Sequence, residues 1–494
     1  MSVEILNLIN GAWVKGSGEA IESRDPANGD LIGTAYQSTN DDVERALAAA
    51  SAAFPAWKAT PQPKRAEIIY RSGELFRKYK EDIAQLMSRE MGKPIAEARG
   101  DVQEGVDMAY YIAAEGRRAW GYTVPSELPN KRMYVERVPL GVCALITPWN
   151  FPIAIPTWKS YPALVMGNTI VFKPAEDTPL LANRFAEIMI EAGVPEGVFN
   201  VIHGRGGPIS DALLTDDRVA MVSFTGSSAT GAEIARKVAP LHKRYSMEMG
   251  GKNPVIVMPD ANMELALDAV LWCAFGTTGQ RCTACSRLIL VDPVGDEFVA
   301  ELKKRTEALV LGHGADPKTQ VASLINEKAM NKVLDYIRIG QEEDKAQMLC
   351  GGTRATEGDL AKGFFVKPTL FDGVKQGMRI EQEEIFGPVL SIIRVKDYDE
   401  AVRVANGVKY GLSAAIFSQD VNVVNRFQRD CASGLCYINA GTTGAEVSTP
   451  FGGVKATGNG HREGGPTVIE AYSELRGVFI DYSGTLQKAQ IDNN

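Results

Sequence analysis

A cysteine in G-Q-R-C-T (279–283) and a glutamate in E-M-G-G-K-N-P (248–254) are side chains with complementary chemistry. A thiolate attacks a carbonyl carbon and can hold the product as a thioester. A carboxylate can activate the water that releases it. Cys282 and Glu248 stand 34 residues apart (282 − 248). W-N-F-P (149–152) adds Asn150, whose amide could donate to an oxyanion, with an Asx-turn as the competing account. Neither string is a metal site, a disulfide framework or a Ser-His-Asp arrangement. Cys282 and Cys285 form C-x-x-C, which suits a redox pair or half of a zinc site. There is no second such pair, and the four histidines (His203, His242, His313 and His461) do not cluster, so no metal is expected. Seven cysteines, an odd count in a long chain, read as reduced thiols.

These groups need elements to hold them. Apolar strands are expected at 142–148, 168–174, 197–202 and 219–226, with helices over 154–166 and 179–192 between them. The pattern restarts with strands at 253–258 and 286–291 and helices over 263–275 and 296–311. Upstream, helical spacing covers 41–54, 63–91 and 102–116. Strands alternating with helices at this spacing imply an α/β chain built on parallel sheets with helices on both faces. F-T-G-S-S-A-T-G (224–231) follows a strand and opens a helix, where backbone N–H groups can approach a phosphate. Ala232 stands where a P-loop has its lysine, and the string alone also fits a glycine-rich turn with no ligand. K-P-A-E (173–176) lies past a strand end, where such sheets bind ligands. Glu176 could accept ribose hydroxyls or simply sit at a helix N-terminus. The polar stretch 122–137 reads as an extended hairpin, either an arm for subunit contact or a surface loop.

Composition bounds the rest. The chain has 494 residues, enough for two or three domains. A net charge of −8 argues against a nucleic-acid binder. No apolar run reaches transmembrane length, and the start M-S-V-E-I-L-N lacks the charged and apolar regions of a signal peptide. A cytoplasmic location is expected.

In order, the motifs run P-W-N-F-P, K-P-A-E, F-T-G-S-x-x-x-G, E-M-G-G-K-N-P, G-Q-R-C-T, E-E-I-F-G-P (383–388) and P-F-G-G-V-K (450–455). This set resembles the NAD(P)-dependent aldehyde dehydrogenase superfamily, from I-N-G-A-W (9–13) to the region of Val478. The resemblance implies the aldehyde dehydrogenase fold: a Rossmann-like NAD-binding domain (1–119 and 140–250) and an α/β catalytic domain (251–450). A β-arm for oligomerisation (120–139 and 466–494) and a return segment (451–465) packed on the NAD-binding domain complete it. A homodimer or homotetramer is implied. So is a mechanism in which Cys282 attacks the aldehyde to give a thiohemiacetal, with Asn150 and the Cys282 backbone N–H holding the oxyanion. Hydride transfer then leaves a thioester that Glu248 helps water to hydrolyse. The site should favour the thiolate, electrostatically or through Glu248 as base, with Cys285 as an accessory thiol. The resemblance assigns Lys173 and Glu176 to the adenosine ribose. Thr225, Gly226, Ser227 and Gly231 fall to the pyrophosphate, and Trp149, Glu384 and Phe386 to the nicotinamide end. Glu176 would repel a 2′-phosphate, which favours NAD, with NADP as a second acceptor. Glu248 argues for a free carboxylic acid as product, against the coenzyme A-acylating branch, and the intact Cys282, Glu248 and Asn150 set argues against a non-catalytic structural relative.

The resemblance also bears on substrate. Trp158 stands where succinic-semialdehyde enzymes tend to have an arginine. Arg281, Glu104 in D-V-Q-E-G-V-D (101–107), and the loop G-T-T-G-A-E (441–446) with Thr443, Gly444 and Ala445 are similar to the aminoadipic-semialdehyde enzymes. W-N-F-P-I-A-I-P-T-W-K (149–159) is similar to the α-ketoglutaric-semialdehyde branch. With Thr283 beside the nucleophile, these residues are expected to line a pocket for an aldehyde bearing a distal carboxylate, such as α-ketoglutaric semialdehyde. The alternative is a broad-specificity enzyme in which Arg281 only braces its loop.

Overall fold

The computed structural model describes residues 3–118, 121–488 and 490–491. The expected domain junction at 119/120, and residues 1–2, 489 and 492–494 of the expected terminal segments, lie outside the described residues.

Four helices follow the N-terminal strands. α1 (Asn40–Ala59) starts where the Thr39 N–H donates to Asp42 Oδ2 at 2.9 Å. It continues through Pro55, five residues past the expected end at 54. Burial of Trp57, whose Nε1 donates to the Leu164 carbonyl at 3.2 Å, outweighs the hydrogen bond that proline removes. The helix expected over 63–91 is two, α2 (Gln62–Lys78) and α3 (Lys80–Glu90), broken at Tyr79 (φ −98°, ψ 12°). Each half keeps its own buried face, so apolar spacing alone does not show the break. α4 (Ile95–Glu115) follows, starting seven residues before the expected 102.

Two seven-stranded sheets organise the rest. In the first, the strands run Arg244–Glu248, Val219–Thr225, Val142–Ile146, Thr169–Lys173, Phe199–Val201, Asn7–Ile9 and Ala12–Val14 across the sheet. The first five are parallel, and the last two are antiparallel additions. Its crossovers are α5 (Ala154–Val165), α6 (Pro179–Ala192), α7 (Gly206–Thr215) and α8 (Ser228–Val238). The central Thr169–Lys173 strand is buried at every position, as helices on both faces require. Residues 249–252 lead straight into the second sheet. Across it lie Gln347–Cys350, Thr369–Asp372, Val389–Val395, Cys285–Val291, Asn253–Val257, Ser413–Phe417 and Leu435–Ile438. α9 (Met263–Phe275) and α10 (Gly295–Glu307) flank the Cys285–Val291 strand in sequence.

The stretch around 122–137 forms strands Tyr122–Val124 and Lys131–Pro139. The C-terminal strand Ser473–Asp481 pairs antiparallel with the second of these, from Ser473↔Pro139 to Asp481↔Lys131. Between the second sheet and this arm, the chain returns to the first sheet, with a bridge between Glu248 and Gly458. Among the described residues, no helix is long and apolar enough to cross a membrane.

Candidate active site

The loop that carries Cys282 begins where α9 ends. Thr277 (φ 49°), Thr278 (φ 57°) and Gly279 (φ 70°) all adopt left-handed backbone. For β-branched threonines this is unfavourable, by about 1–3 kcal/mol each, so neighbours must hold it. Gly279 has no alternative, because a Cβ would lie 2.3 Å from the Gly387 carbonyl oxygen. Thr278 Oγ1 donates to the Ala322 carbonyl at 3.0 Å and accepts from the Ala322 N–H at 3.1 Å. Gln280 Oε1 accepts from the Ile325 N–H, and Asn150 Nδ2 donates to the Gln280 carbonyl, both at 3.0 Å. Asn253 Nδ2 donates to the Cys282 carbonyl at 2.7 Å. Asn150 and Cys282 are thus joined through one intervening peptide, and the second Asn150 N–H is not used in that bond.

Glu248 ends the last strand of the first sheet. Its Oε2 accepts from the Gly453 N–H at 3.3 Å, while the buried Oε1 has no hydrogen-bond partner. Gly452 packs so tightly that a Cβ there would lie 2.3 Å from Oε1. The glycines of P-F-G-G therefore make room for this carboxylate. Burial, reinforced by the Glu463 carboxylate, holds Glu248 well above the usual carboxylate range, against the opposing charges of Lys159 and Arg462. The Lys159 amine is itself buried, donating to Ser223 Oγ at 2.9 Å and to the Glu463 carboxylate. Burial pushes the Cys282 thiol up to about 12, and the charges of Glu384 and Glu248 add to it. The expected electrostatic preference for thiolate is therefore not met in this state, since the charges acting on the sulfur are negative. Cys285 is engaged elsewhere. It is buried in a core cluster with Cys273 and donates to the Arg287 carbonyl, which corrects its reading as an accessory thiol.

Of the residues expected to meet a dinucleotide, Trp149, Lys173, Glu176 and the 225–231 turn end or follow strands of the first sheet, while Glu384 and Phe386 precede the Val389–Val395 strand of the second. Thr225 Oγ1 is buried with no partner, and Ser227 Oγ caps α8 by accepting from the Thr230 N–H at 3.2 Å. A Cβ on Gly226 would meet the Phe224 ring at 2.5 Å, and one on Gly231 would meet Met249 Sδ at 2.4 Å. The orphan hydroxyl beside a helix N-terminus fits a pyrophosphate, while packing against Phe224 and Met249 is what these two glycines serve. Lys173 Nζ donates to the Pro174 carbonyl at 2.8 Å and the Gly204 carbonyl at 2.9 Å, and stands 4.0 Å from the Glu176 carboxylate. The Glu176 side chain is 43% exposed, open to a ribose. Glu384 Oε1 accepts from the Gly251 N–H at 3.0 Å. Phe386, itself left-handed (φ 61°), meets Trp149 edge-on with centroids 5.6 Å apart.

On the substrate side, Trp158 is buried and packs edge-on against Phe451 at 5.5 Å. Its indole N–H meets no acceptor at full hydrogen-bond geometry, and the Glu104 carboxyl is the polar group beside it. Burial, with the charge of Asp101, raises Glu104 to about 8. Thr283 is half-buried, Thr443 Oγ1 lies 3.3 Å from Cys273 Sγ, Gly444 is exposed with φ 109°, and Ala445 packs on the core that holds Trp158. Arg281 departs from expectation. Its Nη2 donates to the Glu97 carboxylate, its Nε donates to Thr277 Oγ1 at 2.9 Å, and its guanidinium lies over Trp272 at 4.9 Å. A glutamate of α4, Glu97, already engages it, so Arg281 is not a free clamp for a carboxylate. Glu97, the buried Lys93–Asp101 pair (2.7 Å) and the Lys159–Glu463 pair are site neighbours that sequence reasoning missed. One signal was present: Glu97, Asp101 and Glu104 repeat at helical spacing on a helix face with buried apolar residues. Among the described residues, no group of three or more His, Cys, Asp or Glu is placed to hold a metal ion.

Residues 13–478 match the description "Aldehyde dehydrogenase family". The chain is 39% identical over 477 residues to an alpha-ketoglutaric semialdehyde dehydrogenase of Bacillus subtilis (strain 168), covering 96% of this chain and 98% of that protein. It is 40% identical over 480 residues to an alpha-ketoglutarate semialdehyde dehydrogenase of Haloferax volcanii, covering 96% and 99%. A crystal structure of betaine aldehyde dehydrogenase from Staphylococcus aureus in complex with NAD+ superposes with a TM-score of 0.95 at 32% identity, covering 98% of this chain and 96% of that one.

Proposed function

The chain belongs to the aldehyde dehydrogenase family, and from that premise we propose that it oxidises an aldehyde bearing a distal carboxylate, α-ketoglutaric semialdehyde foremost, to the carboxylic acid. The observation that carries the reading is that Asn150 bonds to the loop of Cys282 while the Glu248 charge bears on its sulfur. The Cys282 sulfur bonds to the aldehyde carbon as its proton passes to the ionised form of Glu248. The free Asn150 N–H and the Cys282 backbone N–H receive the oxyanion. NAD supplies the hydride acceptor, held by Lys173, Glu176, Thr225, Gly226, Ser227 and Gly231 at one end and by Trp149, Glu384 and Phe386 at the other. Cys282 keeps the acyl group as a thioester. Once Glu248 has passed that first proton to solvent, it takes a proton from the water that displaces the sulfur as thiolate, and its lack of a partner at Oε1 leaves an acceptor for that water.

Glu176 favours NAD over NADP, because its carboxylate repels a 2′-phosphate. Trp158, Thr283, Glu104 and the Thr443–Gly444–Ala445 loop line the substrate side. A homodimer or homotetramer, joined through the arm, and a cytoplasmic location that keeps Cys282 reduced complete the proposal.

NADH formation with α-ketoglutaric, aminoadipic and succinic semialdehydes, beside propanal and benzaldehyde, tests it. We expect kcat/KM for α-ketoglutaric semialdehyde to exceed that for propanal by about 100-fold or more, the scale of one charged hydrogen bond. A flat profile would make this a broad-specificity aldehyde dehydrogenase.

A further inference from the structure

α4 turns Glu97, Asp101 and Glu104 toward the interior. Asp101 serves its surroundings: it accepts from Lys93 Nζ and from the Ala154 N–H, each at 2.7 Å. Glu97 reaches instead to the turn ahead of the nucleophile, 180 residues away in sequence. Its Oε1 accepts from the Thr277 N–H at 3.0 Å. Its Oε2 accepts from Thr277 Oγ1 at 2.5 Å and from Arg281 Nη2. Arg281 Nε closes the figure by donating to Thr277 Oγ1 at 2.9 Å. The Glu97 side chain is only 5% exposed, so water does not compete for these bonds.

We propose that Glu97 is a positioning residue for the reaction: by clamping Thr277 and Arg281 it holds the left-handed turn that sets the Cys282 backbone. Left-handed threonine at 277 and 278 does not persist on local preference, and Gly279 alone is at ease there. Asn150 and Asn253 hold the far side of the loop, through the carbonyls of Gln280 and Cys282. Glu97 is the tie from α4 on the near side. Arg281 then belongs to the clamp, and its place next to Cys282 serves the loop before it serves the substrate. The proposal rests on Cys282 being the nucleophile.

The test measures kcat and KM for propanal and α-ketoglutaric semialdehyde, with thermal midpoints, for Glu97→Gln and for Glu97→Gln combined with Thr277→Gly. A misplaced nucleophile costs on the order of 100-fold. We expect kcat to fall by about that factor with both aldehydes and KM to change by less than about threefold. Glycine at 277 should restore kcat at least tenfold (roughly, half the loss on a logarithmic scale), since it occupies the turn without a clamp. Unchanged kcat in Glu97→Gln overturns the proposal. So does a loss confined to KM for the carboxylate-bearing aldehyde, which would make the pair a substrate reader. A fall in kcat that glycine does not relieve also overturns it. If Glu97→Gln yields no folded protein, Arg281→Lys, which keeps the charge but loses the fork, is read by the same kcat and KM criteria. Cys282→Ala is assayed in parallel, and turnover by that variant would fail the nucleophile assignment rather than the clamp.

Discussion

Burial, with the charges of Glu384 and Glu248, disfavours the Cys282 thiolate, so its reactivity depends on what removes the proton. The thiol, pushed up to about 12, should alkylate faster as pH rises. In the ligand-free enzyme, peptide-resolved iodoacetamide labelling of Cys282 is expected to climb about tenfold per pH unit from pH 7 to 9 with no plateau. Levelling off near pH 8 would mean a thiolate stabilised by a group that the structure does not place there. Glu248 belongs to the same scale. Glu248→Gln should release its first NADH per site more slowly, because the thiol loses its base, and should then stall by about 100-fold or more with the acyl group still on Cys282. Steady turnover at the wild-type rate would remove Glu248 from the base role. Both residues were legible in sequence because each sits in a local string whose neighbours serve it, such as Gly279 against Gly387. Arg281 was legible as a residue but not as a contact. Its partner lies 184 positions upstream, and three glutamates and two aspartates on the same helix compete for it in any sequence reading.

At the scale of elements, α4 ties the two halves of the site together. The Lys93 amine is buried, lies 3.8 Å from the Phe151 ring centroid, and is matched by Asp101, which also receives the first N–H of α5. Asp101→Ala leaves that cation without its carboxylate. We expect a loss of about 3–5 kcal/mol in urea unfolding. A loss below about 1 kcal/mol would mean that Lys93 finds water or another acceptor in its place. Most strands and helices were legible from apolar spacing, α9 to the residue. The run of α1 through Pro55 and the break at Tyr79 were not. The first depends on how much Trp57 gains by burial, and the second on the docking of two separate helix faces. Neither quantity is contained in a window of ten residues.

Among the described residues of the whole molecule, the arm carries a surface that the fold does not use. The arm's C-terminal strand keeps Leu475 (51%), Phe479 (68%) and Tyr482 (65%, just beyond its end) exposed, next to the paired strand Lys131–Pro139. Exposed apolar groups of this size, in one sheet, fit the homodimer or homotetramer proposed above. Leu475→Glu combined with Phe479→Glu should shift sedimentation from a dimer or tetramer toward the monomer. A monomeric wild type, or an assembly indifferent to both substitutions, would sink that assignment.

By itself, the sequence determined the alternation of strands and helices, the motif residues at the strand ends, and the chemistry that a cysteine, a glutamate and an asparagine could do together. These follow from local spacing and from residue type, which act over a few positions. Only the tertiary structure decided that Glu97 meets Arg281, that two threonines are held left-handed before Cys282, and in what register Ser473–Asp481 pairs with Lys131–Pro139. Each of these joins residues more than 100 positions apart or sets a backbone against its local preference. Such contacts form only when the packed molecule brings the partners together and excludes water from between them, and that gain belongs to no single segment of the chain.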